Sequence, residues 1–359
     1  MDFIDAHHHT WDHRVFPYPG VNDPHPIGDI SHFKENYLIT DLLDDAKNQN
    51  LIKSVHVECG GGGKDSPVEE TAWLQSLADG ENSKGFPHGI VAYSDFLTKD
   101  VEKELEEHCS YKNMRGIRYM LNFDPDVPLN CFAPVDKVVF DTQWRANYAL
   151  LEKYNLSFDM QLWWPQNNDA LKLMNDFPNI LNIINHAGMP RQRDKEYIDN
   201  WRNGLKILSQ ASNAVIKISG LAMFDQQWTL ESIRPLVLDA IDIFGINRCI
   251  FATNFPVDRK YSDFDKVLDS YTEITKDFSD DKFYQFLDNH YIKNQFALGF
   301  IFLAIGGLPW VVWGIFLRLV LVYHGTWFVN SAAHAFGYKN FQLGDDLSTN
   351  CWWVAILAY

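Results

Sequence analysis

Residues 3–11 read Phe-Ile-Asp-Ala-His-His-His-Thr-Trp, a β-prone start that runs directly into three consecutive histidines. Side chains alternate along a strand, so His7 and His9 share one face and His8 takes the other. Seven further apolar runs follow, at 54–60, 89–96, 114–121, 157–164, 181–188, 214–223 and 249–257. Between them lie stretches with apolar residues three and four apart, among them DLLDDAKNQN, VEETAWLQSLAD, RANYALLEKYN and YIDNWRNGLKILSQA, the period of amphipathic helices. Strand and helix signals in alternation indicate a parallel sheet, and eight repeats indicate closure into a (β/α)8 TIM barrel of about 250 residues. We expect this barrel to occupy 1–293. The long connections at 16–33 and 122–141 are expected to cover its mouth, since long loops in compact domains are commonly lids.

The charge balance, 47 acidic against 31 basic residues for a net −16, speaks against a nucleic-acid binder, which needs a clustered basic face to release counterions. Cys59, Cys109, Cys131, Cys249 and Cys351 are widely spaced and odd in number, with no CxxC pair. That pattern suggests neither a disulfide framework nor a zinc ribbon, and a reducing compartment follows. The N-terminus lacks the basic start and apolar core of a secretory signal, so a cytoplasmic barrel is expected. Gly60 to Gly63 and Lys64 are not followed by a GK[ST] context, and a flexible loop is the better reading than a phosphate cradle.

Past about residue 293 the character changes. Residues 296–317, FALGFIFLAIGGLPWVVWGIFL, carry no charge, and a run of this length reads as a helical, membrane-spanning segment; a buried core helix is the alternative. Trp310, Trp313, Trp327, Trp352 and Trp353 suit a membrane interface. We therefore expect a second region at 294–359 that associates with membranes.

Barrel active sites gather at the C-terminal ends of the strands. His7 and His9 end the first strand and His186 ends the sixth, so closure would bring three imidazoles to one opening, enough to hold a cation. His-x-His alone is equally compatible with ordinary polar packing. Asn254 and Asp258 follow the eighth strand. Arg118, within the fourth strand, suits two-point binding of a substrate carboxylate or carbonyl; its alternative is a buried ion pair with Glu58 or Asp95. Glu58, Gln161 and Lys217 lie near other strand ends and complete the candidate substrate contacts.

These runs resemble the amidohydrolase-related superfamily, and within it the lactone hydrolases acting on sugar lactones, muconolactones and pyrone dicarboxylates. The resemblance spans nearly the whole barrel and rests on Ile4-Asp5-Ala6-His7-His8-His9-Thr10-Trp11, Gly116-Ile117-Arg118, His186-Ala187-Gly188-Met189-Pro190, Lys217-Ile218-Ser219-Gly220-Leu221 and 251–257. It implies that His7, His9 and His186 bind a metal or polarise substrate, with zinc or manganese as the divalent ion. It further implies a small-molecule substrate, a lactone or carboxylate-bearing ester, opened by activated water with His186, Asn254 and Asp258 at the catalytic centre. Metal-independent lactonases of the same branch keep both forms of chemistry open. Asn254 stands where most members carry an aspartate base, and an amide cannot take a proton. Asp258 is the substitute, and a non-catalytic remnant is the alternative reading.

From Gly314 onward the chain resembles the late part of stearoyl-type fatty acid desaturases, most specifically at 326–334, TWFVNSAAH. By that resemblance Asn330 and His334 match di-iron positions, but the other histidine boxes are missing. Two ligands cannot hold two irons, so the segment reads as a desaturase fragment with an incomplete di-iron site, fused to the barrel.

Overall fold

The computed structural model describes residues 2–18, 24–60 and 67–278, with 303, 304, 307, 308 and 312. Eight strands, β1 Asp2–His8, β2 Asn50–Val57, β3 Gly89–Tyr93, β4 Met114–Met120, β5 Ser157–Gln161, β6 Asn182–Ile184, β7 Ala214–Ile218 and β8 Cys249–Phe251, form one sheet in sequence order. All seven adjacent pairs are parallel. Helices α1 Ile39–Asp45, α2 Val68–Asp79, α3 Val101–Cys109, α4 Thr142–Lys153, α5 Asn167–Asp176, α6 Lys195–Leu208, α7 Leu230–Phe244 and α8 Phe264–Thr275 fill the crossovers. The (β/α)8 expectation is met, and these elements lie within one compact unit, Met1–Thr275.

Local chemistry starts several helices where they start. Asp141 and Asp194 accept from the amides of Trp144 and Tyr197, both at 2.9 Å, and Thr229 and Ser232 cap α7 reciprocally; each satisfies an orphan N–H of the first turn. The core lies between the outer face of the sheet and the helices. Trp144 and Tyr148 of α4 are fully buried and pack on Phe158 of β5 and Phe96. Burying such a ring contributes roughly 1.5–3 kcal/mol.

The seam between β1 and β8 closes through the residues that follow β8. The Asn254 amide donates to His7 O at 2.8 Å and the His9 amide to Phe255 O at 2.7 Å. The Asp5 carboxylate accepts from Thr253 N at 3.0 Å and from its hydroxyl. Closure of the ring therefore also fixes the site-bearing segments against one another.

Every strand ends before its apolar run does, β6 and β8 among them, whose runs extend to 188 and 257. β6 stops at Ile184 because His186, Ala187 and Met189 take positive φ angles of 52°, 52° and 57°, and Asn254 takes 64° after β8; a strand cannot continue through that region. The long connections carry short single turns, at Ser31–Lys34, Pro128–Asn130 and Val138–Phe140. No helix among the described residues is long and apolar enough to cross a membrane. The boundary at 293, Asn330, His334 and all of the expected span at 296–317 except 303, 304, 307, 308 and 312 lie outside the described residues.

Candidate active site

Strand alternation holds at the end of β1. His7 Nε2 and His9 Nε2 lie 3.3 Å apart, while His8 turns the other way, its ring 5.6 Å from that of His56. The His186 ring sits 4.6 Å from the His7 ring. The fold thus brings together three imidazoles separated by up to 179 positions (186 − 7).

Two of the rings, His9 and His186, are oriented by their surroundings. His9 Nδ1 is 2.8 Å from Val57 O; a carbonyl only accepts, so this nitrogen donates and, in the neutral ring, Nε2 keeps its lone pair. His186 Nδ1 is 3.0 Å from Ser219 Oγ. Gly220 is required beside it: with φ +64°, a Cβ there would lie 2.7 Å from His186 Nδ1 and 2.6 Å from Met223 Cε. His186, Ala187, Met189 and Asn254 all hold positive φ angles, a concentration of backbone strain of the kind found at functional sites.

Burial drives all three histidines well below their ordinary pKa, reinforced for His7 by His186 and Lys217, for His9 by Arg118, and for His186 by Arg118 and Lys217. They are neutral near pH 7, the form that binds a metal. Asn254 Nδ2 donates to Asp258 Oδ1 at 3.2 Å, and Asn254 Oδ1 is buried without a partner, as is His7 Nδ1. Burial pushes the Asp258 carboxyl up to about 8 against the opposing Asn254 hydrogen bond, so it carries a proton near neutrality.

Arg118 and Glu58, both expected to meet substrate, meet each other. Arg118 Nε donates to Glu58 Oε1 at 2.7 Å and its Nη2 to Glu58 O at 2.8 Å. The ion-pair alternative is the one formed, with Glu58 and not Asp95, which instead accepts from the Leu97 amide. Lys217 of β7 pairs with Asp159 of β5 at 2.5 Å. Neither pair joins neighbouring strands, so both cross the barrel interior. Gln161 is two residues beyond Asp159 on the same face of β5 and is buried.

Sequence reasoning passed over Asp5, Asp159, Asn185 and Ser219. Asn185 Nδ2 donates to Asp159 Oδ1 at 2.9 Å, and burial raises Asp5 to about 6. Asp5 and Ser219 stand inside the quoted motifs, two residues from His7 and Lys217; the period of two was the available signal.

His7 and His9 fit one edge of a divalent-cation site: their Nε2 atoms, 3.3 Å apart, match a tetrahedral edge with bonds of about 2.0–2.1 Å. The His186 ring lies 4.6 Å from the His7 ring, and among the described residues the trio with ligand atoms all within 4.8 Å of one another is His56, Cys59 and Glu70. A cavity of about 590 Å³ is lined by residues that include Ile27, Gly28, Arg191, Met223, Phe224 and Gln226, and not by the three histidines. Met223 of this lining and His186 flank the same glycine.

Eight parallel strands ringed by helices, with neutral histidines and buried ion pairs at the C-terminal ends of the strands, define a (β/α)8 barrel with a candidate active site where such barrels carry theirs. The amidohydrolase family model matches residues 4–287, and the chain belongs to that family. It is 43% identical over 279 residues to the uncharacterized protein y4mH of Sinorhizobium fredii, covering 77% of this chain and 92% of that one. It is 26% identical over 275 residues to L-fucono-1,5-lactonase of Burkholderia multivorans, covering 74% and 85%. The crystal structure of an amidohydrolase from Burkholderia multivorans with bound zinc has the same fold, with a TM-score of 0.62 at 23% identity over 76% of this chain and 91% of that one. Separately, 85 residues, 24% of the chain, are 60% identical to sn-1 stearoyl-lipid 9-desaturase of Synechocystis, a match that spans 26% of that enzyme.

Proposed function

We propose that the barrel hydrolyses a lactone or a similar cyclic, carboxylate-bearing ester with activated water. The observation that carries this reading is the grouping of three neutral imidazoles, with His7 Nε2 and His9 Nε2 3.3 Å apart and the His186 ring 4.6 Å from the His7 ring. The lactonase relative supplies the substrate class.

His7, His9 and His186 would hold a divalent ion, zinc or manganese, with Asn254 Oδ1 as an additional oxygen donor. When bound, such an ion lowers the pKa of a water and polarises the ester carbonyl. The chain's own residues do the rest. Val57 O keeps the His9 proton on Nδ1, and Ser219 holds the His186 ring. Arg118 and Lys217, each fixed by a carboxylate, keep positive charge on the inner face for the carboxylate that ring opening releases, with Gln161 as a neutral hydrogen-bonding group. Asn254 cannot act as base, so Asp258, whose carboxyl titrates near 8, exchanges the proton at the mouth.

The test is lactone hydrolysis by the full-length chain, followed by acid release, for the untreated, chelated and metal-restored protein. The expected result is activity that chelation removes and metal restores. Absence of hydrolysis across aldonolactones, muconolactone and pyrone dicarboxylate would contradict the reading. Asn254 itself favours a second one, a cation-binding but catalytically silent barrel. An Asn254→Asp variant that gains at least about tenfold in rate, about 1.4 kcal/mol, over an inactive wild type would support it.

For 294–359 we propose a desaturase-like membrane segment with an incomplete di-iron site, attached to a cytoplasmic barrel. The 85-residue desaturase match, longer than this segment, supports a desaturase-like piece in the chain. Sedimentation of the full chain with lipid vesicles, against a chain ending at 293, tests it.

A further inference from the structure

A second cluster lies on the other side of His9. Beyond the end of β2, Cys59 Sγ is 3.6 Å from His56 Nε2 and also 3.6 Å from His9 Nδ1. Across from it, Glu70 in the first turn of α2 accepts from the Cys59 amide at 3.1 Å. One ligand atom each from His56, Cys59 and Glu70 lie within 4.8 Å of one another. His56 is fully buried and Glu70 only 3% exposed.

We infer that His56, Cys59 and Glu70 form a second cation site, distinct from the three-histidine site and selective for a thiophilic divalent ion such as zinc. Three observations support it independently of the hydrolase reading. A sulfur–nitrogen separation of 3.6 Å is the edge of a tetrahedral site with a Zn–S bond near 2.3 Å and a Zn–N bond near 2.0–2.1 Å. The His56 ring is held on one side only: Nδ1 is buried with no partner, while Nε2 faces Thr10 O at 3.2 Å and Cys59 Sγ at 3.6 Å, whereas buried polar groups are normally satisfied. Finally, the Cys59 amide donates to Glu70 Oε1 at 3.1 Å, which holds the carboxylate beside the residue that carries the thiol.

Binding is a proton-balanced ligand exchange. The ion forms a bond to Cys59 Sγ, and the thiol proton leaves to solvent. His56 moves its single ring proton from Nε2 to Nδ1 and offers the Nε2 lone pair. Glu70 supplies one carboxylate oxygen, and water fills the remaining position. The site would clip the end of β2 to α2 immediately behind His9, making His56, Cys59 and Glu70 positioning residues for that imidazole.

Cobalt(II) is the probe, because a thiolate ligand gives a charge-transfer band in the near ultraviolet that imidazole and carboxylate do not. The full-length chain is expected to take up two cobalt ions and to show this band. Cys59→Ser should remove the band and one ion while the second ion stays; His186→Ala should lose the other ion and keep the band. Should Cys59→Ser fail to fold, His56→Ala carries the same expectation. Wild-type protein saturated with cobalt and showing no thiolate band would overturn the proposal. So would a band that survives both Cys59→Ser and His56→Ala, or one that disappears in His186→Ala, since the sulfur would then belong elsewhere or to the three-histidine site. Loss of lactone hydrolysis with the band intact would count against the hydrolase reading and leave this one standing.

Discussion

Strand β5 serves two regions that obey opposite rules. Phe158 and Met160 face outward into the apolar layer under the helices, where Phe158 packs on Trp144 and Tyr148. Asp159 and Gln161 face inward, where Asp159 holds Lys217 and Asn185. The outer layer is made of contacts that any well-shaped apolar side chain can approximate. The inner rim is made of pairs in which each member is costly without the other. Stability should therefore depend chiefly on the outer layer, and chemistry on the inner one.

The largest effect is expected on the outside. Trp144→Ala should cost roughly 3–5 kcal/mol in unfolding free energy, read by denaturant titration, with the rate per folded molecule unchanged. On the inside the pattern should invert. His186→Ala should lower hydrolysis by about a hundredfold, about 2.7 kcal/mol, with little change in Tm. A milder inner change is Ser219→Ala, which frees His186 Nδ1 and should weaken metal binding about tenfold, about 1.4 kcal/mol, in a calorimetric titration.

The smallest effect concerns pH. Burial raises the folded-state pKa of Asp258 to about 8 from an ordinary 3.8, so the folded chain binds this proton more tightly than the unfolded one. The stability it lends is complete below the unfolded value and is lost as pH rises through about 8. Asp5, raised to about 6, has the same sign and is spent by pH 7. The buried histidines have the opposite sign, losing their contribution as pH falls below their ordinary 6.5. Between pH 7 and 9, wild-type stability should therefore fall by about 1 kcal/mol relative to Asp258→Asn, measured by urea unfolding at each pH.

The outer layer was readable from the sequence because it is periodic. All eight apolar runs became strands, and α2 coincides with the stretch quoted for it, while α4 and α6 overlap theirs but begin at Thr142 and Lys195, before the quoted 145 and 197. The ends were less readable. Apolar runs continue past Ile184 and Phe251, but the backbone turns into positive φ at His186 and Asn254, which residue type does not announce. His7, His9 and His186 could be placed at one rim because a closed barrel leaves each strand end only one side to face. Pairing across the interior could not be chosen the same way. Arg118 had two acidic candidates at strand ends, and only barrel geometry selects Glu58 over Asp95. His56, Cys59 and Glu70 were invisible for a related reason: they join the end of β2 to α2, with no spacing motif to mark them.

Manganese(II) prefers nitrogen and oxygen donors to thiolate, so it addresses the three-histidine site alone. Electron paramagnetic resonance of the full-length chain titrated with manganese should count one bound ion in the wild type. It should count none in His7→Ala, in His9→Ala or in His186→Ala. If any one of these folded variants bound manganese as tightly as the wild type, the three imidazoles would not share a cation, and the chemistry assigned to the barrel mouth would be wrong.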